Sequence, residues 1–242
     1  DKDAFSIPEG AALQLQNFEP DIAGGYRRIN GFTKYNSNIV PQTTASTEIV
    51  LGVEIYKDQV IAARGEKVFK GTDTGSWTEI DSGRTSAGRY DFVTFNFDGT
   101  DKIVWCDGQN NASIYDNSSV TDISASPAPA DPQFCAMFKA HLFLSGASSN
   151  PHEIFFSAPF DPTDFTPASG GGSIRVESPV VKLKVFRDRL FIFCEDEIYQ
   201  IVGSSVSDFQ LAPVTRNIGC RSSFSVQEIG GDLVYLAPDG LR

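Results

Sequence analysis

A block recurs about every forty residues along this chain without copying itself letter for letter. Each block has a polar or charged turn followed by a short apolar strand: Tyr56–Ala63, Gly99–Cys106, Phe138–Leu144, Phe186–Phe193 and Ile229–Leu236. Aligned on Val60, Ile103, Leu142, Leu190 and Leu233, successive blocks are 39 to 48 residues apart. After four of the anchors an apolar residue stands in a polar setting: Trp77, Val120, Phe165 and Phe209. A period of ~40–50 residues with about four strands per unit is the pattern of a β-propeller blade. The expected fold is therefore all-β: a propeller with about four complete blades, a partial fifth and an N-terminal strand lead-in.

The spacing divides the chain into a lead-in over 1–48 and blades over 49–88, 89–130, 131–177 and 178–220, with a partial blade over 221–242. The apolar strands Val60–Ala63, Ile103–Cys106, Leu142–Ser145 and Leu190–Phe193 are read as the inner strands of their blades. The lead-in holds an alternating strand, Ala11–Asn17, a second strand within Ala23–Tyr35, and a polar loop over 36–48. The first strand would either close the ring, by pairing with the far end of the chain, or lie outside it as an arm. Ala125–Pro132 reads as a connector, because its prolines cannot donate to a ladder. Gly170–Ser173 reads as a flexible turn between blades. No amphipathic helix of significant length is expected. The chain starts at Asp1, has Met137 as its only methionine, and stops just after the fifth apolar strand. It is expected to be a fragment of a longer chain: a half blade leaves a sheet edge open, which either further chain or a partner would complete.

Composition narrows the function more than it narrows the fold. A net charge of −11 is the wrong sign for neutralising phosphates, the main source of affinity in nucleic-acid binding. It still allows DNA to pass without sticking. No run of ~18 apolar residues offers a membrane anchor, and no signal peptide is evident. The four cysteines, Cys106, Cys135, Cys194 and Cys220, are widely spaced and read as free buried thiols.

Residues for chemistry are scarce. There are two histidines, His141 and His152, and His152-Glu153 lacks the second histidine of a zinc-binding H-E-x-x-H. No phosphate-binding loop, dinucleotide fingerprint or nucleophile elbow is present. Asp73, Asp98, Asp101, Asp107, Asp161, Asp164, Asp188 and Asp239 all fall in turns, where their side chains bond the local backbone. No catalytic residue, metal or cofactor is expected. Thr72–Trp77 resembles the Asp-box of sialidase-type propellers but is one residue short. A glycosidase-like enzyme is a third-ranked reading, behind a glycan- or receptor-binding module in which Trp77 or Trp105 could stack on sugars.

Two segments carry a family resemblance. In the lead-in, Asn17-Phe-Glu-Pro20, Gly24-Gly25 and Arg28-Ile-Asn-Gly31 resemble the opening of virion proteins of tailed bacteriophages. Leu190–Gly203, Phe209, Asn217–Cys220 and Leu236–Leu241 are similar to the propeller of tail-hub, nozzle and DNA-stabilisation proteins of short-tailed phages. The resemblance implies a structural protein of the virion tail, assembled in the host cytoplasm. Copies would form a cyclic ring, sixfold, around the DNA-ejection channel and would dock adaptor and tail proteins. The lead-in places two basic residues among aromatics, a composition of interface cores: Tyr26, Arg27, Arg28, Phe32 and Tyr35 are the candidate interface.

Overall fold

The computed structural model describes residues 16–21, 24–43 and 48–242, so the expected strand Ala11–Asn17 lies almost wholly outside the described residues. The chain forms two compact units, 1–37 and 38–242. In the first, strands β1 (Phe18–Pro20) and β2 (Tyr26–Arg28) make a short antiparallel hairpin, with Glu19 opposite Arg27.

The second unit is a succession of antiparallel meanders. Sheet 1 comprises β3 (Val50–Tyr56), β4 (Gln59–Arg64), β5 (Lys67–Gly71) and β6 (Thr78–Asp81). Sheet 2 comprises β7 (Asp91–Asn96), β8 (Asp101–Cys106), β9 (Ser113–Tyr115) and β10 (Val120–Asp122). Sheet 3 comprises β11 (Phe134–Phe138), β12 (His141–Ala147), β13 (Asn150–Phe156) and β14 (Gly172–Arg175). Sheet 4 comprises β15 (Val180–Phe186), β16 (Arg189–Cys194), β17 (Ile198–Val202) and β18 (Gln210–Thr215). Two small hairpins follow: β19 (Gln227–Ile229) with β20 (Asp232–Val234), and β21 (Leu236–Ala237) with β22 (Gly240–Leu241).

The recurring polar turn has a specific backbone basis. In sheets 3 and 4 it is a two-residue hairpin with both residues at positive φ, Lys139-Ala140 and Arg187-Asp188. Gly230-Gly231 repeats the geometry between β19 and β20. Two positive φ values match the right-handed twist of the flanking strands.

The apolar strands are the second of each sheet, not the first, which corrects their reading as inner strands. Side chains of β8 alternate: Ile103 and Trp105 pack against sheet 1, Val104 and Cys106 against sheet 3. In β12, Leu142 and Leu144 face sheet 2, while Phe143 faces sheet 4. In β16, Leu190 and Ile192 face sheet 3, while Phe193 faces Cys220, Val226 and Tyr235. A strand covered on both faces needs an unbroken apolar run. The strands that meet along the axis are instead the first ones: β7 lies beside β11, and β11 beside β15.

Gly170–Ser173 is likewise not a turn between sheets. Gly170 (φ +94) ends a single 3-10 turn over Pro167–Ser169, and Gly172 and Ser173 already belong to β14. Gly172 lies so close to the Phe156 ring that a Cβ there would stand 2.8 Å from it.

Candidate functional site: a lead-in hairpin and a bolted axis

In the lead-in hairpin, the Nε of Arg27 donates to Glu19 Oε1 at 2.7 Å, bridging the two strands. The five candidate residues are all exposed, Tyr26 by 63%, Phe32 by 94% and Tyr35 by 51%. An aromatic side chain left in water forgoes roughly 2 kcal/mol of burial, and three of the ten residues from Tyr26 to Tyr35 are in that position.

Along the axis of the second unit, the first strands of all four sheets line a cavity of about 510 Å³ together with Ser223, Phe224, Val226 and Gln227. Its walls are joined by one carboxylate. Asp91 on β7 receives the backbone N–H of Cys135 on β11 at 3.2 Å and the ammonium of Lys182 on β15 at 2.5 Å. First strands have one unpaired edge, and Asp91 supplies an acceptor to that edge while Lys182 balances its charge. The result is a bolt across three sheets.

A second polar cluster joins sheets 1 and 2. The guanidinium of Arg84 donates to Asp107 Oδ2 at 2.9 and 3.2 Å, to Ser113 Oγ at 2.6 Å and to the Asn111 carbonyl at 3.1 Å. Asp81 Oδ2 accepts at 3.3 Å. Burial opposes the charge on Arg84, but Asp107 and its other neighbours outweigh it and raise the guanidinium's hold on its proton. Burial raises the Asp81 carboxyl above its ordinary value, against the pull of Arg84. Gly88 passes the Asp107 carbonyl so closely that a Cβ would lie 1.8 Å from it, so only glycine fits there. The Tyr90 hydroxyl beside this cluster is buried without a hydrogen-bond partner among the described residues, and burial drives its proton affinity well above that of an ordinary phenol.

The residues singled out for chemistry are dispersed. His141 is buried, its Nδ1 2.6 Å from the Ser157 carbonyl. His152 sits within β13. Trp105 is fully buried between sheets 1 and 2 and offers no face to a sugar. Trp77 lies against Gly71 and donates its indole N–H to the Asn38 carbonyl at 2.9 Å. All four cysteines are free and buried, and burial pushes the Cys194 thiol up to about 12. Asp107, read as a turn residue, does bond the Gln109 and Asn110 backbone with Oδ1, but its other oxygen holds Arg84. Among the described residues no group of three or more His, Cys, Asp or Glu could hold a metal ion. No helix there is long and apolar enough to cross a membrane.

Solved structures share this arrangement of sheets. BBS1N in complex with ARL6DN aligns with a TM-score of 0.56 at 12% identity, over 89% of this chain and 68% of that one. Sqt1 of Saccharomyces cerevisiae aligns at 0.53 and 12%, over 93% and 64%. A chain of the nidogen/laminin complex aligns at 0.52 and 12%, over 78% and 72%. The fold is a β-propeller. The chain spans about two thirds of the length of these propeller chains. At such identity the likeness speaks for the fold alone. No family model matches the sequence, and no curated protein does.

Proposed function

We propose that this propeller is a structural, protein-binding component of a bacteriophage virion tail, of the nozzle or hub type. Copies of it would form a sixfold ring around the DNA-ejection channel and dock adaptor and tail proteins, after assembly in the host cytoplasm. The observation that carries the reading is the lead-in from the hairpin onward: Tyr26, Phe32 and Tyr35 stand exposed in the same short segment as Arg27 and Arg28, the segment that resembles tailed-phage virion proteins. Large aromatics and arginine are the side chains that dominate protein interfaces. The chain's net charge of −11 makes a second copy an acidic partner for these two arginines. The same charge suits a surface past which DNA slides without binding.

The fold supports a scaffold role by analogy only. Two of the similar propellers are seen in complexes, with ARL6DN in one case and as nidogen with laminin in the other. The role proposed is mechanical: no step of it needs a catalytic group, a metal or a cofactor.

The test is the double substitution Arg27→Glu, Arg28→Glu, followed by native mass measurement and tail reconstitution. Loss of the ring with an unchanged β-type circular dichroism spectrum is the expected result. Normal rings or tails from the double variant would overturn the interface, and a wild-type protein that stays monomeric at high concentration would overturn the ring.

A further inference from the structure

On the second unit, far from the lead-in in sequence, a groove of about 440 Å³ opens between sheets 3 and 4. Its floor is the Lys139-Ala140 turn and the start of β12, and its walls are the loop at Pro159-Phe160 and the β17–β18 loop over Ser204–Ser207. This size lies within the range of small-molecule pockets.

Three observations set the groove apart from the rest of the surface. The first is backbone conformation. Lys139, Ala140 and Phe160 all have positive φ, at 48°, 64° and 63°, and Gly170 joins them at 94°. For Lys139 and Ala140 the hairpin explains it. Phe160 follows Pro159 as the third residue of a turn closed by the Asp161 N–H on the Ala158 carbonyl at 3.3 Å, a position that calls for positive φ and that glycine would fill more easily than a bulky side chain. The Phe160 N–H also donates to the Ala140 carbonyl at 2.8 Å.

The second is what that turn presents. The Phe160 ring is 68% exposed, held edge-on by Phe97 at 5.9 Å between centroids. Val206 on the opposite wall is also exposed. The Ala158–Asp161 turn thus holds an aromatic face in water.

The third is a directed hydrogen-bond acceptor. His141 borders the groove although it is almost fully buried, wedged edge-on among Phe143, Phe156 and Phe209. The Ser157 carbonyl can only accept, so Nδ1 carries the proton. In the neutral ring Nε2 is then a bare acceptor, and no protein donor meets it among the described residues. Ser204, Ser205 and Ser207 add hydroxyls at the rim, held in place through Asp208, which accepts the Ser204 and Ser205 backbone N–H groups at 3.0 and 2.7 Å.

We propose that this groove binds a neutral saccharide, with one pyranose ring seated on Phe160. A pyranose has an apolar C–H face to set against an aromatic ring and donating hydroxyls around its edge. That pairing fits a phenyl platform, one fixed imidazole acceptor and a serine rim. The groove carries no unpaired charge at its floor, because Lys139 is already bound to Asp188. A charged ligand therefore has no counter-ion to recognise.

Saturation-transfer NMR on the full chain tests the assignment, with maltose, lactose and N-acetylglucosamine as probes and uridine and tryptophanamide as planar comparators. Transfer to at least one saccharide is expected in the millimolar range, weakened at least about tenfold by Phe160→Ala and unaffected by Phe32→Ala. Both substitutions remove exposed rings, and a melting curve for each separates loss of binding from loss of fold. Val206→Asp, which alters the opposite wall, should weaken the same saccharide. No transfer to any saccharide would overturn the proposal, as would binding that survives Phe160→Ala. Uridine or tryptophanamide displacing the sugar signal would overturn the saccharide class.

Discussion

Arg84 and Arg27 make the same chemical contact in two different environments. Each donates to a carboxylate at under 3 Å, Arg84 to Asp107 and Arg27 to Glu19. The side chains of the first pair are 5% and 0% exposed, those of the second 61% and 44%. The first pair joins two sheets through a closed set of hydrogen bonds. The second joins two short strands whose remaining surface is aromatic and open. Distance alone therefore says nothing of what a pair does: the buried one constrains the fold, and the exposed one is free to take part in assembly.

Substituting Arg84 gives the sharpest contrast and the largest effect. Arg84→Ala leaves Asp107 charged, buried and unbalanced, and breaking a buried pair from one side costs about 3–5 kcal/mol. Thermal denaturation should show a fall in Tm of roughly 10 °C. A fall no larger than that of Arg27→Ala would mean that water reaches Asp107 and that the contrast is false.

The axial bolt lies between these extremes. Lys182 and Asp91 are about 15% and 13% exposed, and Asp91 also serves the Cys135 backbone. Lys182→Met should cost about 2 kcal/mol, the scale of a charge-assisted hydrogen bond. Asp91→Ala should cost more than Lys182→Met, because it also orphans the Cys135 N–H. Urea denaturation of both variants settles the order, and equal losses would remove the backbone contact from the account.

Asp208 tests the β17–β18 loop through pH. Backbone N–H donation from Ser205, with further hydrogen bonds from Ser204, holds its carboxyl at about 2, below the ordinary 3.8. A depressed carboxyl contributes stability that is complete above the ordinary value and is lost as pH falls through the folded one. The loop should therefore loosen between about pH 4 and about pH 2. Asp81, raised by burial, acts in the opposite sense: its folded form holds the proton longer, so its contribution falls as pH rises through and above 3.8. An NMR titration following the two carboxyls separately would detect both, and an Asp208 midpoint at the ordinary value would remove the loop's anchor.

What could be read from residues alone follows from which contacts are local. The strand rhythm was legible because β8, β12 and β16 are covered on both faces and so appear as apolar runs such as Leu190–Phe193. That same two-sided burial made them look innermost, whereas the true axial strands carry Asp91 and Lys182 and look half polar. The polar bolts were not legible: Arg84 meets Asp107 across 23 positions and Lys182 meets Asp91 across 91. Nothing in a turn aspartate distinguishes Asp107, which grips an arginine, from Asp116, which bonds only its own loop. The glycines at 170–172 misled for a related reason, since Gly172 is needed for the approach of β14 to Phe156 rather than for flexibility. The exposed aromatics of the lead-in were legible as composition, and their exposure is what the structure adds.

The smallest expected effect on stability is the one that bears most on function. Arg27→Ala removes an exposed ion pair, and such pairs contribute from nothing to about 1 kcal/mol. The melting temperature of the isolated chain should hardly move. If the hairpin is a contact surface, the association constant between copies should fall well beyond that loss, because a charge that faces a partner acts on encounter and register rather than on the monomer. Raising the salt should weaken association of the wild type and leave the variant nearly unchanged. Sedimentation of both proteins at two salt concentrations makes the comparison. Parallel salt responses would place Arg27 outside the interface and return it to the role of a solvated strand clasp.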